Sequence, residues 1–195
     1  MSKVITFSRT YPAYHYRKGQ PTFFVEQMLN SMGIDYWDTP YLNILRELNK
    51  DIPSELIDKF CMHLNCEIKA EKHHTIREGR RFEPGELFSP RVWISKPYRP
   101  NYYQGKRIPS QLILAPDTEV VQVLDLKYQH ISRPFVTHKN ADGFDESYPE
   151  GTFDRMALND GFVNREDLEG WLLGGKGWSP VFKGQIICWN ENVSY

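Results

Sequence analysis

Three cysteines in 195 residues, Cys61, Cys66 and Cys188, are too few and the wrong parity for a disulfide framework. They are expected as reduced thiols. No apolar run approaches the ~18 residues that span a bilayer, and the opening Met-Ser-Lys-Val-Ile-Thr-Phe is too short and too polar for a signal peptide. The expectation is a cytoplasmic protein with no membrane partner. Thirteen glycines and thirteen prolines exclude collagenous and low-complexity chains, and there is no internal repeat. The chain also lacks the overall charge that would draw it onto nucleic acid, since its formal net charge is −1. What is present is an ordinary globular composition, 40% hydrophobic and 25% charged. Its length suits one domain, residues 1–195, carrying an insertion at about 22–66.

The near-neutral total hides two opposed segments. From Lys69 to Arg107 ten Lys/Arg stand against four acids, and from Asp142 to Glu169 nine acids stand against two arginines. The basic stretch can meet phosphates with a salt-dependent affinity. The alternative is that the two segments face each other as ion pairs. Aromatic residues are interleaved with the basic stretch: Phe82, Phe88, Trp93, Tyr98, Tyr102 and Tyr103. Bases stack on such rings where they are exposed. Phe88 and Trp93 are expected in the core, and the Tyr98–Tyr103 run, flanked by Pro97, Pro100 and Gly105, reads as a loop.

Val4–Phe7 begins the chain as a short strand, and Tyr11-Pro12 and Gly19-Gln20-Pro21 turn it into a loop. His15, in that loop, is expected to be solvated. Thr22, with Glu26 four positions on, can cap a helix containing Phe24, Met28 and Leu29 and ending near Gly33. Tyr41–Leu48 and Pro53–Leu64 follow as amphipathic helices. Beyond residue 68 the pattern changes to short strands at Arg91–Ile94, Gln111–Leu114, Glu119–Leu126 and Gln185–Trp189. One clear helix interrupts them, capped by Asn164, with Glu166 and Asp167 in its first turn and Gly174 at its end. Ser132–Gly151 reads as a loop or lid. The fold class is α+β.

Lys72-His73-His74-Thr75-Ile76-Arg77, followed by Arg81-Phe82-Glu83-Pro84-Gly85-Glu86, resembles the Lys-x-x-Thr-Ile-Arg signature of ASCH domains in the PUA-like superfamily. Ala157-Leu158-Asn159-Asp160-Gly161-Phe162, then Glu166-Asp167-Leu168, is similar to the family's downstream segment, and Phe182–Ile187 to its closing strand. The resemblance covers Val4–Phe7 and roughly Glu67–Trp189. It implies a PUA-like small β-barrel with flanking helices and a helical insertion. It further implies a cleft beside the Lys-x-x-Thr-Ile-Arg turn that takes RNA, single-stranded nucleic acid or a modified nucleotide.

In such a cleft Lys72 supplies a point charge, Arg77 a planar fork and Thr75 a neutral donor, with Asp160 facing them. The structural alternative is an Arg77–Asp160 brace. The residues expected to touch nucleic acid or nucleotide are Lys72, His74, Thr75, Arg77, Arg81, Arg91, Lys96, Tyr98 and Arg99. Some members of the superfamily are amidohydrolases that deacylate the exocyclic nitrogen of cytidine. Their Lys, Thr and Glu correspond to Lys72, Thr75 and Asp160, with Asp one methylene shorter. Others are ribonucleases or plain binders, so hydrolase activity is left open. Cys61, Cys66, His73 and His74 are not taken as a metal set, because zinc prefers tighter pairs and adjacent strand histidines point to opposite faces. No cofactor is expected. The remaining alternative is a protein-interaction module using the helical insertion through Phe60 and Leu64.

Overall fold

Alternating side chains in Lys-Val-Ile-Thr-Phe bury Ile5 and Phe7 on one face, and the chain opens as a strand accordingly. The computed structural model of the chain describes residues 2–129, 135–139, 145–147, 152–174, 181–191 and 193. In chain order the first elements are β1 (Lys3–Phe7), α1 (Phe24–Ser31), α2 (Thr39–Leu48), α3 (Ser54–Cys61), β2 (His74–Glu78) and β3 (Leu87–Trp93). There follow β4 (Asn101–Tyr103), β5 (Lys106–Ile108), β6 (Gln111–Ile113), β7 (Thr118–Glu119) and β8 (Gln122–Gln129). The last are β9 (Phe135–Lys139), β10 (Asp145–Ser147), α4 (Thr152–Asn159), α5 (Arg165–Leu173) and β11 (Val181–Cys188). This is an α+β protein. Among the described residues the strands form separate sheets and no closed barrel.

The chain divides into two compact units. The first comprises Met1–Arg9, Phe23–Glu71 and Leu87–Thr118. In it β1 runs parallel to β3, and β6 pairs antiparallel on the other side of β3, with Arg91 opposite Ile113. The three helices of the expected insertion belong to this unit and bury Met28, Leu29, Leu45 and Ile57 almost completely. Each such side chain contributes roughly 1.5–3 kcal/mol relative to exposure. Phe60 and Leu64 are core residues too, 5% exposed, and do not present a docking face.

The Thr22 cap does not form. Helix α1 starts after Phe23, which is held in the left-handed region at φ 57°, with no side-chain cap. Glu26 is buried and accepts the Asn65 N–H at 3.2 Å instead. The expected stop at Gly33 does form. Gly33, at φ 68°, lets its N–H reach the Asn30 carbonyl and the Ile34 N–H reach that of Leu29.

The second unit comprises Thr10–Thr22, Lys72–Glu86 and Glu119–Tyr195, and its sheet has the order β10-β9-β8-β11-β2. β11 sits between β8 and β2, with Ile186 opposite both Leu124 and Ile76. All three are buried, which places the unit's core on that face.

Three further expectations are corrected. Tyr98–Tyr103 is not all loop, because β4 begins at Asn101 and forms a hairpin with β5. Ser132–Gly151 contains β9 and β10, and its remaining residues lie outside the described ones. A second helix, α4, precedes α5 and buries Phe153, Met156 and Ala157 at i, i+3 and i+4 spacing.

Candidate functional site

Helix α4 ends in Ala157-Leu158-Asn159-Asp160-Gly161-Phe162 because Gly161, at φ 82°, takes the left-handed conformation a Schellman stop requires. The Gly161 N–H then reaches the Leu158 carbonyl and the Phe162 N–H that of Ala157, both at 2.9 Å. This geometry leaves Asp160 as the C-cap, where the helix dipole disfavours a negative charge. The Lys72 ammonium compensates. It donates to both the Asp160 backbone oxygen and the Asp160 carboxylate, bridging 88 positions of sequence. The side chains are 2% and 4% exposed, so the pair is desolvated.

The segment that carries Lys72 is pinned to the same helix end. The His73 N–H donates to the Asn159 carbonyl at 2.8 Å, and the Trp189 N–H reaches the His73 carbonyl at 3.4 Å. Strand β2 then begins at the edge of its sheet. Its Ile76 N–H is hydrogen-bonded to the Asp160 carboxylate, so the acid caps an open strand edge as well as a helix.

Burial pushes the Lys72 ammonium down to about 8, against the opposing pull of Asp160, and Arg77 pushes it the same way as burial. Burial raises Asp160 to about 6, against Lys72 and Arg77, which hold it down. The ionised pair remains the major form. Burial works against the charged form of both groups, and their mutual attraction works for it.

The other sequence-derived residues fall as follows. Thr75 is 4% exposed and lies opposite Ile187 on β11, and among the described residues its hydroxyl makes no hydrogen bond. Strand alternation puts it, with Arg77, on the face opposite His74 and Ile76. Arg77 is half-buried and helps hold the Asp160 carboxyl down by its charge, while Lys72 makes the direct ion pair with Asp160. His74 is fully buried, with a hydrogen bond to the Met156 backbone, and burial holds it well below the usual histidine range. It is a neutral core histidine rather than a phosphate donor. Arg81 is exposed, and its backbone N–H joins that of Phe82 on Gln185 Oε1, at 2.6 and 3.0 Å. Arg91, Lys96, Tyr98 and Arg99 belong to the first unit, Arg91 half-buried and the other three exposed.

A cluster in the second unit escaped the sequence reading. His15 is 3% exposed, not solvated. The Arg17 N–H donates to its Nδ1 and its Nε2 lies 3.0 Å from the Asp167 carbonyl, an arrangement that fixes a neutral ring protonated at Nε2. Tyr16 Oη donates to the buried Asp167 carboxylate, and the Arg17 guanidinium pairs with it at 2.7 Å. The Thr10–Thr22 segment is thus clasped to the first turn of α5, whose Asn164 cap accepts the Asp167 N–H at 2.9 Å. Only the alternation of aromatic and basic residues in Tyr14-His15-Tyr16-Arg17 could have signalled this.

Cys61, Cys66 and Cys188 are free thiols. Among the described residues no group of three or more His, Cys, Asp and Glu is placed to hold a metal ion, and no helix is long and apolar enough to cross a membrane. No family model matches the chain and no solved structure matches it.

Proposed function

We propose that the chain is an ASCH-like protein of the PUA-like class that binds a modified nucleotide, free or within single-stranded RNA, through Lys72, Thr75, Arg77 and Asp160. The observation that supports this most is the buried contact of Lys72 with Asp160, residues supplied by two separate motifs. A lysine already neutralised by a carboxylate is a weak anchor for phosphate. It is suited to a polar base edge, with the ammonium donating, the carboxylate accepting from an exocyclic amine and the Thr75 hydroxyl doing either. Calorimetric titration with N-acylated and unmodified cytidine monophosphates tests the reading. The acylated nucleotide binds the wild type, and Thr75→Val weakens it roughly 5- to 150-fold, the cost of one buried polar group left without a partner. No binding of either nucleotide, or an unchanged affinity in Thr75→Val, overturns it.

A second reading, hydrolysis of the N-acyl group, is favoured by the direction of the two pKa shifts. The accessible minor form pairs an amine base with a carboxylic acid. In this scheme Thr75 Oγ1 gives its proton to Lys72 Nζ and bonds to the acyl carbon. The carbon–nitrogen bond breaks, and the leaving amine takes the Asp160 proton. Water then cleaves the acyl-threonine, its proton passing to Asp160 while Lys72 returns one to Oγ1. Chromatography of acylated cytidine incubated with the protein shows release of cytidine and the free acid, abolished in Thr75→Val. Release no faster than in buffer removes this reading and leaves binding intact.

A further inference from the structure

The first unit carries a cationic and aromatic surface with no part in that site. Its centre is the β4–β5 hairpin, closed by Gln104 and Gly105 at φ 47° and 77°, the two positive-φ positions of a type I′ turn. The hairpin's base is tied down by Ser110 Oγ, which donates to the Arg99 carbonyl at 2.9 Å, and by Asn101 Nδ2, which donates to the Pro109 carbonyl at 3.1 Å.

A groove of about 410 Å³ has Arg91, Trp93, Tyr98, Arg99 and Arg107 in its wall. A second, of about 950 Å³, includes Lys50, Tyr103 and Lys106, and the two share Arg107, Pro109 and Ser110. They therefore flank β5 and adjoin at Arg107. Five cations line them against a single acid, Asp51. Lys50 is paired with Glu47, but among the described residues no ion pair engages Arg91, Arg99 or Arg107.

Tyr98 is 89% exposed and is held at φ 59°, a left-handed conformation that costs a non-glycine residue roughly 1–2 kcal/mol. That conformation sets its ring 5.2 Å from the Trp93 ring, tilted by 58°. An exposed aromatic platform, strained into place among three unneutralised guanidiniums, matches a ligand with a flat π face and a repeating negative charge. A base within a duplex has no free face to offer, and an acidic peptide without aromatic residues has no ring to stack.

We infer that the β4–β5 hairpin and its two flanking grooves form a binding site for single-stranded nucleic acid, with a base stacked on Tyr98 and phosphates on Arg91, Arg99 and Arg107. The site does not depend on the nucleotide reading of the second unit, since all its residues belong to the first.

Fluorescence anisotropy of the full chain with a labelled twelve-nucleotide oligouridine tests it, with oligothymidine, a duplex of equal length and poly-glutamate as comparisons. Both single strands bind more tightly than the duplex or the peptide. Tyr98→Ala weakens oligouridine binding roughly 5- to 150-fold and Tyr98→Phe does not, as expected of stacking worth ~1–3 kcal/mol. Arg99→Ala with Arg107→Ala lowers the slope of log affinity against log salt by about 1.4, two contacts at ~0.7 each. Tyr98 and Arg99 are exposed, so these variants fold, which circular dichroism verifies. Equal binding of duplex or poly-glutamate, an unchanged affinity in Tyr98→Ala, or no oligonucleotide binding by the wild type overturns the inference. Failure here leaves the cytidine titration untouched, and failure there leaves this measurement untouched.

Discussion

Replacing Lys72 by Met removes an ammonium that is 2% exposed and leaves the Asp160 carboxylate, 4% exposed, without its main counter-charge. Truncating one partner of a buried pair costs about 3–5 kcal/mol, because the remaining charge is desolvated and uncompensated. For a chain of this length each kcal/mol moves the melting temperature by about 2–4 °C, so Lys72→Met should melt roughly 6–20 °C lower in scanning calorimetry. Adding Asp160→Asn removes the orphaned charge while keeping an oxygen for the Ile76 N–H. Replacing both ions of such a pair is neutral or stabilising by about 1–4 kcal/mol, so the double variant should regain or exceed the wild-type midpoint. Two results refute this reasoning. A Lys72→Met midpoint within a degree of wild type would mean that the ammonium is not desolvated. A double variant as unstable as the two single losses added together would make the pair a net stabiliser of the fold.

The pH dependence has a definite sign. Asp160 sits at about 6 in the fold against 3.8 for an ordinary aspartate, so the folded chain holds the extra proton in that interval and stability falls as pH rises through it. Lys72 sits at about 8 against 10.5, so the unfolded chain holds the extra proton there and stability rises with pH. Wild-type stability minus that of Lys72→Met/Asp160→Asn should therefore show a trough between pH 6 and 8 in urea titrations, and a flat difference refutes it. Gly161→Ala, at φ 82°, should cost roughly 1–2 kcal/mol and weaken cytidine-nucleotide binding, since the turn it strains carries Asp160; unchanged stability would mean the Schellman stop is not required. Asp167→Ala removes the acceptor of Tyr16 and Arg17, charge-assisted bonds worth about 1.5–3 kcal/mol each. Amide hydrogen exchange should accelerate across residues 11–20, and unchanged protection there would show that the clasp does not hold that segment.

The helices of the first unit were legible because their apolar residues recur at helical spacing and Gly33 and Pro53 punctuate them. The Thr22 cap was misread for a physical reason. A helix cap is worth about 1 kcal/mol, and Glu26 is instead drawn into the interior, where it satisfies the Asn65 N–H, a partner 39 positions away that no local pattern reveals. The β4–β5 hairpin was missed although Gln104-Gly105 between two short polar runs is a usable turn signal; Pro97 and Pro100 outweighed it. Helix α4 is written in the helical spacing of Phe153, Met156 and Ala157, but it lies inside the acidic segment, where the surrounding charge masks so short an apolar stripe. His15 could not have been placed by pattern, since a histidine flanked by tyrosines and arginines reads as surface until Asp167 arrives from 152 positions away.

The opposed charge segments were visible as a pattern, but their meaning depended on where the charges sit. Arg46–Asp58 and Lys50–Glu47 lie on the surface, at 42% and about 70% side-chain exposure, where a pair contributes at most about 1 kcal/mol and its loss is tolerated. Lys72–Asp160, which does join the basic segment to the acidic one, is different in kind. It places a carboxylate at the C-terminus of a helix, against the dipole, and a lysine in an environment that lowers its proton affinity. An asparagine at the cap and a methionine at 72 would fill the same space without either penalty. What they would not supply is an ammonium and a carboxylate shielded from water beside β2, whose Thr75 hydroxyl makes no hydrogen bond among the described residues. If the pair serves the nucleotide reading proposed above, it works against the stability of the fold, and the Lys72→Met/Asp160→Asn double variant should expose that opposition by matching or exceeding the wild-type stability while losing the nucleotide.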